Sequence, residues 1–139
     1  MPATVSIYHG AFRDENVDKR VFRYAEWGDY AVEVILDKAF KMFNAPPEAL
    51  EEDEIVIMEQ YRKKHLRSLS VGDVVQVEDV KYVCQSFGWK KKEEYDLEIA
   101  AEEKRRADFL QKRVDFFREE ALQLADKLIA REKARMRNT

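Results

Sequence analysis

Cysteine is nearly absent from the chain: Cys84 stands alone, which removes intrachain disulfides and any zinc site built on paired thiolates, and fits a reducing compartment. Histidine is almost as scarce. His9 and His65 lie far apart, with no His-x-His or His-Glu-x-x-His spacing, so a metal centre is not expected and no metal or other cofactor is assigned. No apolar run is long enough to cross a bilayer, and Met1-Pro2-Ala3-Thr4-Val5 carries neither a basic stretch nor a long apolar one. Membrane spanning and secretion are both disfavoured, and a cytoplasmic setting is expected. A Gly-rich phosphate loop, a nucleophile elbow and a kinase signature are also missing.

What is present is apolar material for one core and a charged exterior: 45% of the 139 residues are hydrophobic and 38% charged, so disorder throughout is not expected. The formal net charge of −3 argues against a protein that coats nucleic acid indiscriminately, and any basic surface must be local.

The expected fold is α+β: a small antiparallel or mixed sheet of four to five strands with one packed helix, then a long C-terminal helix. Thr4 to Tyr8 alternates polar and apolar and stops at His9-Gly10, which reads as a first strand; Val21 to Tyr24 offers a second, across an exposed loop rich in charge. A helix follows with Asp29 as its N-cap. It carries a wide apolar arc of Ala31, Val32, Ile35, Leu36, Ala39, Phe40, Met42 and Phe43, and ends at Asn44 before Pro46-Pro47. The β-branched run Ile55-Val56-Ile57 favours a strand to about Tyr61, although Glu59, Gln60, Arg62 and Lys63 suit a helix. Gly72, free to take a positive φ angle, opens a strand over Val74 to Val77, and Val80 to Cys84 reads as its hairpin partner across Glu78-Asp79. Lys90-Lys91-Lys92 marks the expected boundary between a compact domain, residues 1–92, and a charged amphipathic helix, residues 93–139.

That last segment contains neither glycine nor proline and is dominated by helix formers. Ala107, Leu110, Val114, Phe117, Ala121, Leu124 and Leu128 alternate by three and four, the spacing of a coiled-coil seam, while Phe109, Phe116, Leu122 and Ile129 sit off it. Its charges are sorted. Residues 93 to 103 hold Glu93, Glu94, Asp96, Glu98, Glu102 and Glu103 without a base, and the tail holds Lys127, Arg131, Lys133, Arg135 and Arg137 against Glu132. This order suits the helix dipole, and an antiparallel pairing would also bring opposite charges together.

Three groups invite a chemical reading. His9 at a strand end reads as a turn residue, and Cys84, inside a predicted strand, as a small buried apolar group rather than a nucleophile. The acids Glu51, Glu52, Asp53 and Glu54 cluster where solvation is the ordinary outcome. Two basic runs, Arg62-Lys63-Lys64 with Arg67, and Trp89 with Lys90, Lys91 and Lys92, would form a cationic patch edged by aromatics if they converged, suited to phosphate contact and base stacking. No catalytic residue and no small-molecule substrate are expected.

From Tyr61 to Trp89 the chain carries an Arg-Ser-Leu-Ser-Val-Gly-Asp-Val-Val segment, a second strand and Cys84-Gln85-Ser86-Phe87-Gly88-Trp89. This stretch resembles small uncharacterised proteins of phages and mobile elements, including the YodL-like group. The resemblance implies a strand at Ile55 to Tyr61 and the later hairpin, and a phage-encoded protein working in the host cytoplasm; it carries over no functional residues. Here Asp79-Val80 stands where a glycine often follows the turn aspartate. The expected function is a non-enzymatic interaction protein that self-associates or binds a host protein through Leu110, Val114, Phe117, Ala121, Leu124 and Leu128, with nucleic-acid association through the basic runs as the alternative.

Overall fold

The structure, a computed structural model, describes residues 1–137, and two compact units emerge, Met1–Asp96 and a second beginning at Leu97. Positions 138 and 139 of the expected helix lie outside the described residues.

In the first unit five strands form one antiparallel sheet: β1 (Ala3–Tyr8), β2 (Arg20–Glu26), β3 (Val74–Val77), β4 (Val80–Cys84) and β5 (Trp89–Lys91), in spatial order β2-β1-β3-β4-β5. The fold class is α+β. Alternation aims one row of side chains at the core. Val5 and Ile7 of β1 face Tyr24 and Phe22 of β2 on one side and Val77 and Val75 of β3 on the other, and all six are buried. The opposite face is more polar, with the Tyr8 hydroxyl donating to Gln76 at 2.8 Å and Lys81 Nζ 4.5 Å from the Tyr8 ring.

Two helices, not one, cover the apolar face. The first, α1 (Val32–Asn44), buries Ile35, Leu36, Ala39, Met42 and Phe43, most of the expected arc. It begins three residues after the predicted cap: Ala31, not Asp29, is the N-cap, and no side chain bonds there. Phe40, counted on the arc, is exposed. A helical stripe buries its i, i+3 and i+4 neighbours, and Phe40 falls at its edge.

The second helix, α2 (Glu52–Lys63), replaces the strand expected at Ile55 to Tyr61, and with it the strand implied by the resemblance. Its start explains the outcome. Glu51 and Glu54 form a capping box, each side chain taking the other's backbone amide, and Glu54, Met58 and Tyr61 then fall on one buried face at helical spacing. Ile55 and Ile57 pack at the core margin while Val56 points out. The acids expected to be solvated therefore include one that is not, since Glu54 is 1% exposed, with Lys41 Nζ 3.3 Å from its carboxylate. Between α1 and α2 lies a short 3-10 turn at Pro47–Ala49.

Aromatic packing joins these layers. Phe43 of α1 stacks on Tyr61 of α2 at 4.1 Å, and Phe22 of β2 meets both edge-on, at 5.7 and 5.3 Å. The expected hairpin forms with Val77 paired to Val80 across Glu78-Asp79. Glu78 itself takes the positive φ, +53°, that a two-residue turn requires, and Gly72 takes +98° where its strand begins. The run expected to mark a boundary is structured: Trp89, Lys90 and Lys91 are β5, and Lys92 opens α3 (Lys92–Arg137). None of the described helices is long and apolar enough to cross a membrane.

Candidate interaction surface and buried polar cluster

Helix α3 runs for 46 residues and buries none of its side chains. Leucine-, glutamate-, lysine- and alanine-rich composition suffices for a helix of this length, but it leaves the apolar residues in water. Leu110, Val114, Phe117, Leu124 and Leu128 are 49%, 48%, 59%, 58% and 54% exposed, and Ala107 and Ala121 between them are also exposed. Phe109, Phe116, Leu122 and Ile129 flank the seam and are exposed too. Local pairs along the helix include Gln111 with Asp115 at 2.9 Å, Arg135 with Glu132 at 2.7 Å, and Phe116 edge-on to Phe117 at 5.8 Å. A cluster of this kind is larger than scattered surface leucines.

The two basic runs are not brought together. Lys64, the C-cap of α2, has its Nζ 5.5 Å from the Phe22 ring on β2, one edge of the sheet, whereas Trp89, Lys90 and Lys91 form β5, the other edge. Four strand spacings of about 4.8 Å separate the two edges, roughly 19 Å. Arg62 donates to the Ala45 carbonyl at 3.1 Å, and Trp89 packs at the core margin with its ring N–H donating to Asp37 at 3.1 Å. Lys92 pairs with Asp96 at 2.6 Å.

Arg67 belongs to neither run in function. Its guanidinium binds Asp73 through two bonds of 2.7 Å and also grips Glu15, with the Phe12 ring 4.4 Å away. Asp73 is fully buried, and its carboxylate also accepts the amides of Gly10 and Ala11, both at 3.0 Å, and Ser70 at 2.8 Å. Burial, the largest single influence, pushes its pKa up. The Arg67 bond and the three amides outweigh that, and the carboxyl is held below its ordinary value. Glu15 is lowered by the Arg67 bond, and Arg67 is raised by Asp73 in return.

His9, read from the sequence as a turn residue, borders this cluster. It is buried, with Nε2 2.6 Å from the Tyr61 hydroxyl, which donates to the Arg67 carbonyl. Since Tyr61 has one proton to give, His9 Nε2–H is the donor to it, leaving Nδ1 3.9 Å from Glu15. Burial, then Arg67, lowers the His9 pKa below 6.5. Cys84 sits in β4, buried as expected, with burial raising its pKa. His65 is exposed just after α2. A cavity of ≈ 640 Å³ is lined by Pro47, Val56, Met58, Glu59, Gln60, Arg62 and Lys63, and neither histidine nor Cys84 reaches it.

The polar cluster of His9, Glu15, Tyr61, Arg67 and Asp73 is the feature sequence reasoning missed. Its residues are scattered over more than sixty positions, and the one local signal was the Ser70-Val71-Gly72-Asp73 turn, whose aspartate anchors the loops on either side. Its donors and acceptors are spent on one another and on backbone, which is the signature of a clasp. Among the described residues no group of three or more His, Cys, Asp or Glu side chains is arranged to hold a metal ion. In comparison with known proteins, the chain matches no family model, no curated protein and no solved structure.

Proposed function

We propose that the chain is a non-enzymatic interaction protein that associates through α3, with itself or with a host protein. One observation carries the reading: a seam of seven residues, Ala107 to Leu128, in coiled-coil spacing and exposed along its whole length. The phage-type setting rests on the resemblance over residues 61 to 89 alone.

The test is a pair of charge substitutions in the seam, Leu124→Glu and Leu128→Glu, read by light scattering. Association through the seam predicts that the double variant is monomeric while its far-ultraviolet helix signal stays high. An assembly that survives both substitutions contradicts the reading. Binding of short DNA or RNA that weakens as salt rises, unaffected by these changes, would transfer the function to the basic runs.

A further inference from the structure

We infer that the occupant of the seam is a second copy of this chain, with the two α3 helices antiparallel and Val114 of each facing Phe117 of the other; this rests on the reading of α3 as an association surface. Side-chain volume separates the orientations. In a parallel, in-register pair each seam residue meets its own counterpart, so Phe117 meets Phe117 while Ala107 and Ala121 each meet alanine. One layer is overfilled and two are nearly empty. Antiparallel pairing about the point between Asp115 and Phe116 sets Ala107 against Leu124, Leu110 against Ala121 and Val114 against Phe117. These six residues form layers that each join a smaller residue to a larger one, while Leu128, at the end of the seam, falls opposite Glu103.

The order of charge along the helix, acid first and base last, favours the same orientation. Residues flanking a seam meet across it, and in the parallel pair Arg113 lies beside Arg118 of the other copy and Lys127 beside Glu132, each twice, so the flanking contacts there cancel. Antiparallel, Arg113 lies beside Glu120, also twice. The stretch holding Glu98, Glu102 and Glu103 runs alongside the stretch holding Arg131 and Lys133, instead of acid along acid. Arg106 lies beside Lys127, likewise twice, and offsets the Arg113–Glu120 contacts at a rim that salt screens. The existing ion pair of Arg135 with Glu132 is exposed and opposes nothing. The register that evens the volumes also leaves the helix ends nearly flush, since Glu94 aligns with Arg137 of the other copy and α3 is described from Lys92 to Arg137.

Cysteine cross-linking in the full chain reads the orientation. Leu110→Cys and Ala121→Cys are prepared separately, then mixed and oxidised; both positions are exposed, and the unsubstituted chain controls for buried Cys84. Antiparallel pairing places residue 110 opposite 121 and keeps the two copies of 110 eleven residues apart along the axis, about 16 Å. The mixed disulfide then exceeds either homodisulfide by about tenfold, because the paired thiols see a millimolar effective concentration. Rapid homodisulfide formation by Leu110→Cys alone overturns the antiparallel orientation and leaves the association reading standing. A light-scattering mass of one chain for the unsubstituted protein, with no disulfide in any mixture, overturns both.

Discussion

Asp73 shows how a single side chain can decide whether two loops stay in place. A fully buried carboxylate is tolerated only when its charge is paired and its oxygens are bonded, and here Arg67 and the amides of Gly10, Ala11 and Ser70 supply both. Removing the arginine strands that charge, although three amides remain. Arg67→Leu is therefore expected to cost about 3 kcal/mol, seen as a lower urea midpoint at pH 7. The same cluster sets a pH dependence. His9 has its pKa lowered from 6.5 in the folded state, so the unfolded chain takes up a proton first and stability falls as pH drops below about 6.5. Glu15 and Asp73, lowered from 4.5 and 3.8, contribute stability that is present above those values and lost as pH falls through their folded-state pKa values. Urea midpoints across pH should show two successive declines, and His9→Gln should abolish the upper one while keeping the lower. A single decline in both proteins would mean that His9 is not coupled to folding. Beyond the Ser70-Val71-Gly72-Asp73 turn little of this was legible in the sequence, because Arg67 looked like one more base in Arg62-Lys63-Lys64-His65-Leu66-Arg67 and Glu15 and His9 lie far away along the chain.

At the level of elements, strand β1 and the hairpin of β3 and β4 followed from alternation and turn chemistry, but α2 did not. Ile55-Val56-Ile57-Met58 has the composition of a strand, and composition lost to a capping box and to the spacing of Glu54, Met58 and Tyr61. The deciding signal was present in Glu51 and Glu54, three residues apart, where acids looked merely solvated. The two geometries predict different tolerance. Met58→Ala should cost about 2–5 kcal/mol because Met58 is buried in the aromatic core, whereas Val56→Lys, on the outer face of the helix, should change stability by no more than about 0.5 kcal/mol. Comparable losses at both positions by urea denaturation would speak against the helix as placed.

For the molecule as a whole, fold class was legible because an alternating front half and a glycine- and proline-free back half impose different periods on the chain. The seam was legible for the same reason, since three-and-four spacing survives any tertiary context. What covers it was not, because a helix face carries no record of its partner beyond volume and charge. The basic runs illustrate the opposite case: a shared patch required two runs far apart in sequence to converge, and the structure sets Lys64 beside β2 and Lys90 and Lys91 on β5, the opposite edges of the sheet. The central claim is that α3 is an association surface, and the most direct measurement is the solution mass of the unsubstituted full chain by light scattering over a range of concentrations. The account predicts twice the chain mass, falling toward one chain only on dilution. A mass of one chain at every concentration reached would contradict it.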